Sequence, residues 1–90
     1  MPARVERPVK RSEYEIVFAT RQAEKGWRDL RATALSPVAD AWDALTSNPV
    51  RNDRACHPLR GYLAEVRREG ATHIQRQYEL PGGARIWYYV

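Results

Sequence analysis

Seven arginines, and no lysine, supply the cations of residues 47–90: Arg51, Arg54, Arg60, Arg67, Arg68, Arg76 and Arg85. Four acids oppose them. Arginine carries a permanent charge on a planar fork that meets phosphate oxygens two at a time. This density therefore points to an acidic partner, either nucleic acid or an acidic protein. A mildly basic, solvated surface is the plainer reading of the same count. Other chemistry-bearing residues are few. Cys56 is the single cysteine, so no internal disulfide forms, and with His57 beside it there are too few soft ligands for zinc. His57 precedes a proline in a polar stretch and reads as a loop-packing residue; His73 reads as an exposed strand residue. Neither paired carboxylates nor a nucleophile elbow is present. No metal and no cofactor is expected.

Ninety residues, 43% of them apolar and nine of them aromatic, suit one packed domain with a modest core. No apolar run is long enough to span a bilayer. No apolar segment follows the basic start as in a secretory leader, so the expected location is cytoplasmic. The net charge of +4 is unevenly placed. Residues 1–13 carry Arg4, Arg7, Lys10 and Arg11 against Glu6 and Glu13, and read as a flexible basic arm. Residues 14–90 read as a single domain.

The elements that position the arginines follow from periodicity. Residues 14–20 alternate as a short strand, with Tyr14, Ile16 and Phe18 on one face. Thr20 then caps a helix running to about Thr33, on which Ala23, Trp27, Leu30 and Ala34 form one stripe. A second helix takes Ser36 as cap and Pro37 at its first position, with Val38, Ala41, Trp42 and Leu45 as its stripe, and ends at Asn48-Pro49. Two short helices with about two residues between them predict an antiparallel hairpin, with Trp27 and Trp42 in the core. Residues 47–60 read as a polar connecting loop. Three strands follow, over residues 62–68, 72–80 and 85–90.

Register decides which side chains of the last two strands share a face. A three-residue loop, 81–83, places the even positions together, so that Ile74, Tyr78, Leu80, Ile86, Tyr88 and Val90 are buried as one set. That burial is worth several kcal/mol and outweighs the choice of turn. The outer face then carries His73, Gln75, Gln77, Glu79, Arg85, Trp87 and Tyr89. Arg76 is the misfit, a cation among core positions, which must reach the sheet edge or pair with an acid.

The order of strand, helix pair, loop and antiparallel strands, with His57-Pro58-Leu59-Arg60-Gly61 ahead of the sheet, resembles the RelE/ParE toxin superfamily. The closing Gln77-Tyr78-Glu79-Leu80-Pro81-Gly82-Gly83-Ala84-Arg85-Ile86-Trp87-Tyr88 is similar to an actinobacterial-type RelE-like branch, and the likeness covers roughly residues 14–90. It implies an α+β fold: a curved antiparallel β-sheet with an N-terminal strand and a two-helix hairpin packed on one face. It implies the toxin of a type II toxin–antitoxin system. The RelE branch cleaves mRNA on the ribosome without metal and so inhibits translation, whereas the ParE branch inhibits DNA gyrase. The implied partners are a cognate antitoxin protein and the mRNA with its ribosome, with no membrane and no metal. Arg85 stands where the mRNA-cleaving branch has a functional cation, which makes it the expected catalytic group. Such an endoribonuclease drives the ribose 2′-OH onto its own phosphate, so a clamping guanidinium stabilises the growing charge. Trp87 and Tyr89 on the same face are the expected base-stacking residues, with sheet packing as their ordinary alternative. Arg60 and Arg76 are expected on flanking phosphates.

Members of that superfamily continue past the Arg-Ile-Trp-Tyr strand with a turn and one more strand, and this sequence stops at Val90. The expectation is thus a domain without its last strand, and three accounts stay open. The product is inactivated by truncation, or residues 61–67 stand in for the strand, or the sequence is part of a longer protein. Beside the mRNA endonuclease stand two further readings: a non-catalytic module that binds an antitoxin or RNA, and the gyrase-inhibiting branch.

Overall fold

The computed structural model describes Pro8 and residues 12–90. The basic arm expected over residues 1–13 therefore lies mostly outside the described residues. Two helices come first, α1 (Arg21–Thr33) and α2 (Leu35–Ser47). Five short strands follow: β1 (Cys56–Pro58), β2 (Glu65–Arg68), β3 (Ala71–Ile74), β4 (Arg76–Glu79) and β5 (Arg85–Tyr88). A 3₁₀ turn, Gly61–Leu63, sits between β1 and β2. The chain is α+β, with all strand pairs antiparallel.

Helix α1 begins as the sequence predicts. Thr20 is its cap, and its hydroxyl accepts the Ala23 N–H at 3.0 Å. Helix α2 begins two residues earlier than predicted, at Leu35, with Ala34 as an N-cap that lends no side chain. Ala34 closes α1 through its N–H to the Leu30 carbonyl and opens α2 by accepting from the Val38 N–H. One residue thus serves both ends, which leaves Ser36 inside the first turn. Pro37 is tolerated there because first-turn N–H groups have no partner within the helix.

The core is small and lies on α2. Val38, Ala41, Leu45 and Thr46 are buried there, together with Pro49, Cys56 and Leu80. Helix α1 buries no residue. The Trp27 and Trp42 side chains, expected in the core, are only half-buried and border an open gap of about 290 Å³ between the helices. Residues 14–18 form no strand, contrary to the alternation read in them. Tyr14 donates its N–H to the Thr46 carbonyl at 2.7 Å, but among the described residues no strand lies alongside to supply a ladder, and Val17 is 75% exposed. Alternation alone does not make a strand; a paired backbone does.

The expected single curved sheet is divided in two, with order β1-β4-β5 in one part and β2-β3 in the other. The predicted strand over residues 72–80 runs through both and is interrupted at Gln75. This residue donates its N–H to the Ala64 carbonyl and accepts the Leu59 N–H, each at 2.9 Å. It also donates from its side chain to the Leu63 carbonyl at 3.0 Å. The long strand thus changes partner at Gln75, from β2 on one half to β1 on the other. The predicted strand over 62–68 is shortened to β2, because Gly61 turns with φ 66° and starts the 3₁₀ turn.

Candidate nucleic-acid interface

The closing hairpin has the predicted register but not the predicted burial. Of the even-numbered set Leu80 is buried and Tyr78, Ile86 and Tyr88 are half-buried, whereas Ile74 and Val90 are exposed, and Gln77, expected on the outer face, is buried. Glu79 pairs with Arg85, Gln77 with Trp87 and Arg76 with Tyr88. Leu80 donates its N–H to the Ala84 carbonyl at 2.7 Å, leaving residues 81–83 as the loop. Gly82 and Gly83 take φ of 91° and 95°, values that side-chain-bearing residues rarely adopt. The double glycine therefore delivers Arg85 as the first residue of β5, exposed at the head of the strand.

Side chains alternate across a strand, so each row of the sheet belongs to one face. On one face His57, Gln77 and Trp87 lie in register across β1, β4 and β5, with the Glu79–Arg85 pair in the adjacent row. The Trp87 indole N–H donates to Gln77 Oε1 at 3.0 Å, which fixes the ring against the sheet, and the side chain is half exposed. Further along the same face Tyr89 stacks on His73, with ring centroids 4.3 Å apart and planes inclined by 23°. His57 Nδ1 lies 3.0 Å from its neighbour's carbonyl, that of Pro58.

The opposite face holds a polar network. Arg76 is 7% exposed. Its guanidinium donates to the Arg51 carbonyl, to Asn52 Oδ1 at 3.0 Å and to the Tyr88 hydroxyl at 3.3 Å. That hydroxyl donates in turn to the Pro49 carbonyl at 2.6 Å and lies 3.1 Å from Cys56 Sγ. Arg51 sits over the Tyr78 ring and pairs with Asp53 at 2.9 Å. Burial opposes the charge on Arg76, but its interactions with Tyr88 and Cys56 outweigh it, and the guanidinium is held above its ordinary range. The Tyr88 hydroxyl is pushed up to about 12, by burial first and then by its bond with Cys56, while Arg76 pulls the other way.

The five residues singled out from the sequence are thus divided. Arg85, Trp87 and Tyr89 share one face of β5 and its continuation. Arg60 is exposed just beyond β1, at the Gln75 end of β4, whereas Arg85 stands at the Glu79 end. Arg76 does not fit the phosphate role expected of it: its guanidinium is turned inward and engaged by carbonyl, amide and phenol oxygens. Nor does it reach an edge or, among the described residues, pair with an acid.

Two features escaped the sequence reading. Strand β1 lies where the sequence predicts a loop; three residues containing a proline carry no periodic signal, and the strand exists because Asp53 accepts the Ala55 and Cys56 N–H groups at 2.9 Å each and aims the chain at β4. Arg68, at the end of β2, is the other. It borders an open groove of about 510 Å³ that also takes in Trp27, Leu45, Ile86, Trp87 and Tyr89. That groove touches side chains from both faces of β5, so it runs along the strand's free edge, with residues 14–20 as its far wall.

Cys56 and His57 point to opposite faces of β1 and do not converge, and among the described residues no three His, Cys, Asp or Glu side chains come together. No described helix is long and apolar enough to cross a membrane. Comparison with known proteins finds no family model, no curated protein and no solved structure that matches the chain.

Proposed function

We propose that this chain is a RelE-like toxin of a type II toxin–antitoxin system, an endoribonuclease that cuts mRNA on the ribosome. The observation that carries the reading is the exposed guanidinium of Arg85, delivered by the double-glycine turn to the same sheet face as Trp87. In this reading Arg85 clamps the scissile phosphate and neutralises the charge that grows as the 2′-OH attacks. Trp87 holds a neighbouring base by stacking, and Arg60 meets a phosphate further along. A cytoplasmic location, a cognate antitoxin and the ribosome as platform belong to the same proposal.

The test is to add the purified protein to translating ribosomes and map transcript 5′ ends. New, reproducible ends are expected, and Arg85→Ala is expected to reduce them about a hundredfold, the scale of losing one charge stabiliser. Absence of new ends with the unaltered protein removes the enzymatic reading. Undiminished cutting by Arg85→Ala removes Arg85 from it.

A second reading, a module that binds RNA or an antitoxin without cutting, is favoured by one observation. Neither histidine shares a strand with Arg85, since His57 stands two strands away on β1 and His73 is on β3 of the other sheet, so no imidazole accompanies the phosphate clamp on its own strand to carry the proton-transfer step. Binding without cleavage in the same assay selects it. Inhibition of DNA supercoiling in place of cleavage selects the gyrase-directed branch.

A further inference from the structure

The stacked His73 and Tyr89 rings stand beside Trp87, on the face that carries Arg85. Register extends the series. Val66 pairs with His73 and Arg68 with Ala71, so Arg68 lies on the same side as His73. Read along this face, the order is Arg68, the His73–Tyr89 stack, Trp87, Arg85: a cation, two aromatic stations, a cation. We infer that this row is a two-base platform for single-stranded RNA, one base on the Trp87 indole and the next on the His73–Tyr89 pair, with Arg68 and Arg85 on the flanking phosphates. The inference rests on the RNA reading above and adds the form of the strand that is bound.

Spacing carries the argument. Trp87 on β5 and Tyr89 on its continuation are two residues apart, so at the rise of extended chain their rings are set about 6.7 Å apart. Stacked bases follow one another at about 3.4 Å. A duplex, or a strand that keeps its own stacking, cannot seat consecutive bases on both stations; a splayed single strand can. The stations are also prepared for it. Gln77 occupies the one polar edge of the Trp87 ring, so the ring is held and its exposed face is apolar. Tyr89 is already backed by His73, so a base extends an existing stack instead of ordering a free side chain. The cations at both ends match a polyanion. Glu79, opposite Arg85, Glu69, next to Arg68 in the β2–β3 turn, and Glu15, on the far wall of the groove, are acids nearby; they oppose an acidic protein as much as RNA and do not alter the aromatic spacing.

Fluorescence anisotropy with a labelled eight-nucleotide RNA of mixed sequence, alone and annealed to its complement, tests this. The single strand is expected to bind at least tenfold more tightly than the duplex. Trp87→Ala and Tyr89→Ala are each expected to weaken it about tenfold, the scale of losing one base–aromatic stack. Trp87→Phe, which keeps a π-face, is expected to stay within about threefold of the unaltered protein. Trp87 is half exposed, so this pair carries the test even where Tyr89→Ala disturbs the fold. Equal affinity for duplex and single strand overturns the platform. So does unchanged binding by Trp87→Ala, or competition by a poly-glutamate peptide as strong as by unlabelled RNA. Binding of the expected kind with no cutting on ribosomes removes the nuclease and keeps the platform. Cutting that survives in both Trp87→Ala and Tyr89→Ala removes the platform and keeps the nuclease.

Discussion

Arg76 and Arg85 belong to two strands bonded directly to each other, and they do opposite things. Arg76 faces inward, 7% exposed, with carbonyl, amide and phenol oxygens around its guanidinium. Arg85 faces outward at the head of its strand, beside a half-exposed tryptophan. Their residue type is the same, and so is the sheet. Alternation sets them on opposite faces, since position 76 pairs with 88 and position 85 with 79, and place along the strand does the rest: Gln77, on the face of Arg85 but mid-sheet, is as buried as Arg76, whereas Arg85 heads its strand. The inner arginine ties the 49–52 loop to the sheet. The outer one is exposed to solvent.

The largest expected effect breaks the inner side. In Arg76→Met the volume is nearly kept, but the Arg51 carbonyl and the Tyr88 hydroxyl, both on half-buried residues, lose their donor, while Asn52 is exposed and can turn to water. A shielded acceptor left unpaired costs about 1–3 kcal/mol, so a loss of about 2–3 kcal/mol is expected in urea unfolding. Arg76→Lys restores the charge without the fork and recovers only part of it. If Arg76→Met unfolds at the same urea concentration as the unaltered protein, the inner network does not hold the loop, and the contrast between the two arginines loses its structural half.

A smaller effect sharpens the same side. Tyr88→Phe removes one hydroxyl that donates to Pro49 and accepts from Arg76, with an expected cost of about 1–2 kcal/mol. The pH dependence is more telling. Tyr88 is held to about 12 in the folded chain against an ordinary 10.0, so the folded state binds that proton more tightly than the unfolded state does. Its contribution is full below pH 10 and is lost as pH rises toward 12. Melting temperatures measured from pH 9 to pH 11.5 are expected to fall less steeply in Tyr88→Phe than in the unaltered protein. Parallel slopes would show that the Tyr88 proton is not linked to folding.

How much of this was legible depends on whether a signal was local. Helix α1 with its Thr20 cap could be read directly, because cap and stripe lie within one segment. The hairpin register could also be read, because the apolar alternation on two strands admits one face-sharing solution. Arg76 was flagged by the same parity as a cation among core positions. What could not be read was its company: the oxygens that satisfy it come from residues 51, 52 and 88, which nothing in the local pattern connects to 76. Strand β1 was invisible for a related reason, since three residues become a strand only when β4 and the Asp53 turn bring them there. The segment at 14–18 shows the converse. Its alternation is as clear as that of β5, yet among the described residues no strand pairs with it. The Arg85 site was legible only as residue types on a face. The stacking of His73 on Tyr89, which turns that face into a graded series, depends on a side-chain geometry that periodicity does not contain.

The smallest expected effect lies on the outer side and completes the comparison. Arg85→Met removes an exposed cation whose nearest cross-strand neighbour is Glu79. Surface charge pairs contribute little, and the turn that places the residue is set by Gly82 and Gly83, not by the guanidinium. The urea midpoint is therefore expected to stay where it is in the unaltered protein, while single-stranded RNA binding weakens and its dependence on salt becomes shallower by about one phosphate contact. A clear loss of stability in Arg85→Met would mean that the outer arginine is also committed to the fold. Exposure would then no longer separate the two arginines, and the functional weight placed on Arg85 would have to move to Trp87 alone.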